Sequence, residues 1–183
     1  MTTSLATLVL AALAALPRPP GGTRESRAEA VDAIVAAANE RPLFERAAGS
    51  DGTAEIAATA LVLAAVAQHE SSFDPRVGSC VVHGGGAISY FQLLGAYSLG
   101  GHTKAEVCAS PSLAAKLALR VLHLQKRRCK QCDLSGWLAG YASGSPSRPS
   151  RTSRETEKLV VALARHASLR LPTTPGAAPS WAR

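Results

Sequence analysis

Glu70 closes a stripe of small and apolar residues. Ile56, Ala60, Leu63, Ala67 and Glu70 recur at +4, +3, +4, +3, which on a helix sets all five on one face. A carboxylate on such a face is either buried at a cost or placed at the floor of a cleft. Desolvation disfavours its charged form, raises its pKa and keeps it protonated near neutral pH, able to give a proton to a departing oxygen. The plain alternative is a glutamate at a helix end that reaches solvent.

The neighbouring residues sharpen the choice. Glu70 stands in Gln68-His69-Glu70-Ser71-Ser72-Phe73-Asp74-Pro75, and farther on come Gly86-Ala87-Ile88-Ser89-Tyr90-Phe91-Gln92-Leu93 and Gly140-Tyr141-Ala142-Ser143-Gly144. The first resembles the Glu-Ser-x-Phe-x-Pro signature of lytic transglycosylases of the soluble-enzyme type. The second is similar to that family's Gly-Ala-x-Gly-Leu-Met-Gln segment, and the third to its Ala-Tyr-Asn-Ala-Gly box. The resemblance spans roughly residues 28–168, with its sharp parts at 61–93 and 137–144.

The resemblance implies a lysozyme-like helical domain that cuts the peptidoglycan glycan strand between N-acetylmuramic acid and N-acetylglucosamine. Glu70 would be the catalytic acid and then base. Ser71 would bond within the site, Gln92 would line the glycan groove, and Tyr141 would hydrogen-bond near Glu70. Each also has a structural reading: Ser71 as a cap, Gln92 satisfying backbone groups, Tyr141 as a core aromatic with a paired hydroxyl. Two positions depart from the family pattern. Ser89 stands where glycine is usual, and Ala142 where asparagine is.

Ordinary glycoside hydrolysis uses two carboxylates. Between residues 71 and 154 the acids are Asp74, Glu106 and Asp133. So few partners favour the family's single-carboxylate route, in which the N-acetyl group assists and the product carries a 1,6-anhydro ring. A water held by Asp74 or Asp133 would give plain hydrolysis instead, and a wall-binding module without turnover is the rival from another class. A second rival is a basic helical component of a virion or secretion apparatus, with an enzymatic domain for local wall penetration. No cofactor or metal is expected.

The elements that would carry these residues are helical. Apolar residues are 46% of the 183 and aromatics 4%, dominated by Ala, Leu and Val, which favours helix over strand and gives a mainly α chain with little or no sheet. Ala28, Val31, Ile34, Val35 and Ala38 predict a helix ending near Arg41-Pro42. A central apolar helix runs from Ala54 to Glu70, with Thr53 as its N-cap and Glu55 in its first turn. Residues 71–110 read as a long Gly-rich loop region. Ser110 caps a helix with Pro111 at its first position, striped by Leu113, Leu117, Val121 and Leu124. Lys116, Arg120, His123 and Arg127 form a row on another face, read as solvated surface. A short helix is predicted over Leu134–Tyr141, and a last one to about His166, opened by a Thr152-x-x-Glu155 capping box.

The ends and the cysteines leave alternatives. Leu5–Leu16 is a twelve-residue apolar run, too short to span a bilayer. It suits a signal h-region followed by the Pro17–Gly22 linker, or a helix packed on the domain. Residues 1–27 are thus a leader or N-terminal helix with linker, 28–170 the domain, and 171–183 a tail of disordered composition. Cys80, Cys108, Cys129 and Cys132 suit structural disulfides in a periplasmic or secreted protein, with three pairings open; reduced thiols or a metal are the alternative. The net charge of +7 calls for an anionic partner, here the wall polymer. No nucleic-acid motif is present and no stable membrane insertion is expected.

Overall fold

A computed structural model describes residues 3–17, 21–82 and 86–172 of the chain. Its centre is the most extensively buried helix, α3 (Thr53–Ser71), in which every residue from Ala57 to Gln68 is buried. An element apolar on all sides needs neighbours on all sides. It packs on α1 (Leu5–Ala14), α2 (Arg24–Glu40), α7 (Pro111–Arg128) and α9 (Arg151–His166), while α8 (Leu134–Ser143) lies across α7 and α9. The mainly helical architecture expected from the sequence is therefore present. Among the described residues there is no strand, and only Ile88 and Leu93 form an isolated antiparallel bridge.

Helix starts follow side-chain chemistry, though not always the residues expected. Ser110 caps α7 and Pro111 opens it, as read from the sequence. Thr53 is not the N-cap of α3. Gly52 is, at φ +87°, because Asp51 Oδ1 takes the Thr53 N–H at 2.8 Å and bends the chain before the helix. Glu55 then accepts from the Ala47 N–H and the Ser50 hydroxyl, closing the preceding loop onto the first turn. The Thr152-x-x-Glu155 box is likewise displaced. Ser150 caps α9 reciprocally with Ser153, and Glu155 instead pairs with Arg151.

Residues 71–110 are not one loop. They fold into three short helices, α4 (Pro75–Gly78), α5 (Gly95–Leu99) and α6 (Lys104–Cys108), started by Asp74, Leu94 and Thr103. Local caps organised a stretch in which no hydrophobic periodicity could be read. Gly84 and Gly85 of the glycine run lie outside the described residues. Two disulfides, Cys80–Cys108 and Cys129–Cys132, choose among the pairings left open, and the first ties α4 to α6. No group of potential metal ligands occurs among the described residues.

Leu5–Ala14 forms α1 with Val9, Ala12 and Leu13 buried, packed against α2, α3 and α9. The helix predicted from Ala28 begins earlier, at Arg24, capped by Thr23. No described helix is long and apolar enough to cross a membrane. The tail from 173 onward, and residues 18–20 of the linker, lie outside the described residues.

Candidate functional site

The site begins where α3 ends. Ser71 Oγ donates to the Ala67 carbonyl and accepts the Phe73 N–H, and Ser72 and Phe73 follow in the left-handed region at φ 51° and 57°. Two such non-glycine residues in a row are uncommon and need support. Phe73 supplies it: the ring is fully buried and meets Tyr90 at 6.1 Å between centroids. The Gly21 N–H also donates to the Ser72 carbonyl at 2.6 Å. Asp74 then caps α4 and pairs with Arg76. The chain is thus turned sharply away, leaving Glu70 in the last turn of α3 and partly exposed.

Glu70 faces a cleft of about 490 Å³ between the end of α3, the 87–98 segment, α7 and the C-terminal half of α8. Gln92 and Tyr141 also line it; Ser71 does not. Of the site residues read from the sequence, three are brought together and Ser71 is left closing its own helix. A second hollow of about 430 Å³, between α1 and the start of α2, is lined by Thr7, Leu10, Arg24 and Arg27 among others and holds no carboxylate.

The Gln92 segment is a tight reversal. Ile88 and Leu93 exchange backbone bonds at 3.0 and 2.8 Å, with Ser89 at φ 66° and Gln92 at φ 48° inside the loop. A left-handed residue is where glycine is expected, and Ser89 meets the strain by accepting the Phe91 N–H at 3.3 Å. Gln92 Nε2 donates to the Ser89 carbonyl at 3.1 Å. The Tyr141 hydroxyl donates to the Phe91 carbonyl at 2.7 Å, so the ring lines the cleft while its polar end holds the reversal.

Electrostatics single out Glu70. Burial pushes its carboxyl above the ordinary glutamate value, with no other cause. Burial, and secondly the charge of Glu70, push Tyr141 well above the ordinary phenol value. No other acid lines the cleft among the described residues. The three further acids of the region are committed elsewhere. Asp74 caps α4, Glu106 completes a capping box with Thr103, and Asp133 caps α8 through the Gly136 N–H at 3.1 Å.

Gln125 and Arg128 on α7 and Tyr97 on α5 are among the cleft residues that escaped the sequence reading. Gln125 is 2% exposed, and its Oε1 has no hydrogen-bond partner among the described residues. The side chain lies against Gly140, where an added Cβ would meet Oε1 at 2.5 Å. The signal was present, since Val121, Gln125 and Arg128 continue the α7 stripe at +4 and +3. A polar residue in an apolar stripe is the logic that picked out Glu70. The row Lys116, Arg120, His123 and Arg127 is a solvated face as expected, with only His123 half-buried, and its first three members also find partners. These pair with Glu40, the Tyr97 carbonyl and the Arg41 carbonyl respectively.

Comparison with protein-family models, with curated proteins and with solved structures finds no match to this chain.

Proposed function

We infer that the chain is a peptidoglycan-cleaving glycosidase with a lysozyme-like domain, acting as a lytic transglycosylase. One observation carries this reading: among the described residues, the one carboxylate lining the cleft is desolvated and makes no hydrogen bond or ion pair, which leaves its proton for a substrate.

In this mechanism the Glu70 carboxyl protonates the glycosidic oxygen between N-acetylmuramic acid and N-acetylglucosamine, and the C1–O bond breaks. The acetamido carbonyl oxygen of the muramic residue supports C1 as it becomes electron-poor. The Glu70 carboxylate then takes the proton from the C6 hydroxyl, whose oxygen attacks C1 and closes the 1,6-anhydro ring. No second carboxylate is needed. The commitment of Asp74 and Asp133 to helix caps supports this route over one that needs a second carboxylate to activate water. Gln92 and Tyr141 serve as substrate contacts from the same walls. Two disulfides are compatible with action outside the cytoplasm, and the basic surface favours adhesion to the anionic wall.

The test is digestion of purified peptidoglycan by the wild type and by Glu70→Gln, with products separated by mass. Anhydromuropeptides from the wild type alone are expected. Reducing-end products lost in the variant would make the enzyme a hydrolase. Sedimentation of both proteins with the wall, with no product from either, would leave a binding module.

A further inference from the structure

Cys129 and Cys132 stand apart from the cleft chemistry. Their disulfide spans the corner between α7 and α8: Cys129 is the C-cap of the first, and Cys132 precedes Asp133, the N-cap of the second. It closes a loop of sequence separation 3, so little chain entropy rests on it, whereas Cys80–Cys108 closes one of separation 28. Cys80, Cys108 and Cys132 pack against the hydrophobic core; among the described residues Cys129 does not, and it is partly exposed. One sulfur of the pair is thus open to an incoming group while the other is held. Cys132 lies over the first turn of α8, where a Cβ added at Gly136 would stand 2.9 Å from its Sγ, so the glycine makes room for the sulfur. A helix N-terminus favours negative charge, offset in part here by Asp133, whose Oδ1 takes the Gly136 N–H. The Pro146 carbonyl oxygen, 3.8 Å from the same sulfur, is an acceptor for a thiol proton there. Close in sequence, Arg127, Arg128 and Lys130 are exposed and form no salt bridge with a described residue, while Lys126 pairs with Glu45.

We propose that Cys129 and Cys132 are a redox-active pair that exchanges with an anionic thiol, while Cys80–Cys108 is the structural bridge. The thiolate of the incoming molecule bonds to Cys129 Sγ as the Cys129–Cys132 bond breaks, and the electron pair of that bond leaves on Cys132 Sγ. The first turn of α8 and the neighbouring cations receive this charge, and the Cys132 thiol then donates to Pro146 once it takes up a proton. A second thiolate attacks the incoming sulfur of the mixed disulfide and frees Cys129. Two thiols are thereby oxidised to one disulfide, and the two protons they release end on Cys129 and Cys132. The exposed cations favour a negatively charged thiol over a neutral one. Reduction leaves the fold standing, because the bond that opens constrains only four residues. The site lies outside the function inferred above and does not depend on it.

The experiment is reduction of the full oxidised chain by glutathione, with free thiols alkylated at intervals and each cysteine located by mass. Cys129 and Cys132 are expected to appear as thiols at least about tenfold faster than Cys80 and Cys108, with circular dichroism unchanged. Glutathione disulfide then restores the same pair. Reduction of both bridges together, of Cys80–Cys108 first, or only as the chain unfolds overturns the proposal. Raising salt, or Lys130→Glu, should slow reduction by glutathione about threefold and leave reduction by neutral 2-mercaptoethanol unchanged. Lys130 is exposed, so its substitution does not endanger folding. Equal sensitivity of the two thiols overturns the anionic assignment. Single variants read the direction of attack. Cys132→Ser should take glutathione from its disulfide onto Cys129 about tenfold faster than Cys129→Ser takes it onto the packed Cys132. The reverse order overturns attack at Cys129. None of these readouts is wall digestion, so the pair and the glycosidase reading stand or fall separately.

Discussion

Tyr141 donates its hydroxyl to the carbonyl of Phe91 at 2.7 Å, so that α8 holds the reversal from which Gln92 enters the cleft. The contact joins residues far apart in sequence and leaves the phenol no freedom to serve as a base, since its pKa is pushed well up. Tyr141→Phe is expected to lower stability by about 1 kcal/mol, the value of one neutral hydrogen bond. Wall digestion should fall by about tenfold or more as Gln92 loosens, small displacements in a site being costly. Thermal melts and digestion assays check both. An unchanged melt together with unchanged activity would remove the anchoring role.

Glu70 links activity and stability to pH in the same direction. Its carboxyl is raised by burial, so the folded state holds this proton to higher pH than the unfolded chain does. That contribution to stability is fully present below the ordinary carboxylate value and is lost as pH rises through the raised one. Glu70→Gln should thus melt higher than the wild type at neutral pH and converge with it below about pH 4. Wild-type activity should fall as pH rises through the raised pKa, where the acid is spent. A variant that is less stable at neutral pH would contradict the desolvated position.

The two disulfides should differ in weight. Cys80–Cys108 closes a loop of sequence separation 28, and Cys129–Cys132 one of separation 3. The chain-entropy argument gives about 3.6 kcal/mol for the first and at most about 2 kcal/mol for the second. Cys80→Ser with Cys108→Ser should lower the melting temperature more than the other pair, and should release the 81–107 segment that carries Gln92 and Tyr97. Melts of the two double variants, with proteolysis of that segment, read this directly.

Ser89 offers a backbone test. Its φ of 66° suits glycine, while its hydroxyl accepts from Phe91. Ser89→Gly should be within about 1 kcal/mol of the wild type, because relief of left-handed strain offsets the lost bond and the added chain entropy. Ser89→Ala keeps the strain and loses the bond, and should cost about 1 kcal/mol or more. Equal melts for the two variants would mean that the turn is not under conformational strain.

Most long helices were legible because burial shapes their sequence: α7 and α9 carry a period of 3.6, and α3 is a long run apolar on nearly every side. Glu70 was legible for the same reason, as a charge on an apolar stripe. Gln125 stood on the next such stripe and was passed over, because an uncharged amide disturbs the pattern less than a carboxylate does. The short helices α4 to α6 follow from caps at Asp74 and Thr103 and from a disulfide, none of which has a period. The Thr53 and Thr152 caps were misplaced because several hydroxyl and carboxylate residues compete within three positions, and only the path of the chain decides among them. Ser71 illustrates a further limit. Adjacency in sequence to Glu70 does not set the direction of the Ser71 side chain, which turns back to Ala67.

The bond from the Gly21 N–H to the Ser72 carbonyl makes the segment after α1 a sentinel for the site. That amide is shielded only while the paired left-handed residues behind Glu70 keep their place. Its deuterium uptake therefore times each opening of the turn from a position that touches neither the cleft nor any ligand within it. Saccharide binding that tightens the turn would slow that exchange, giving a readout of occupancy that does not depend on turnover.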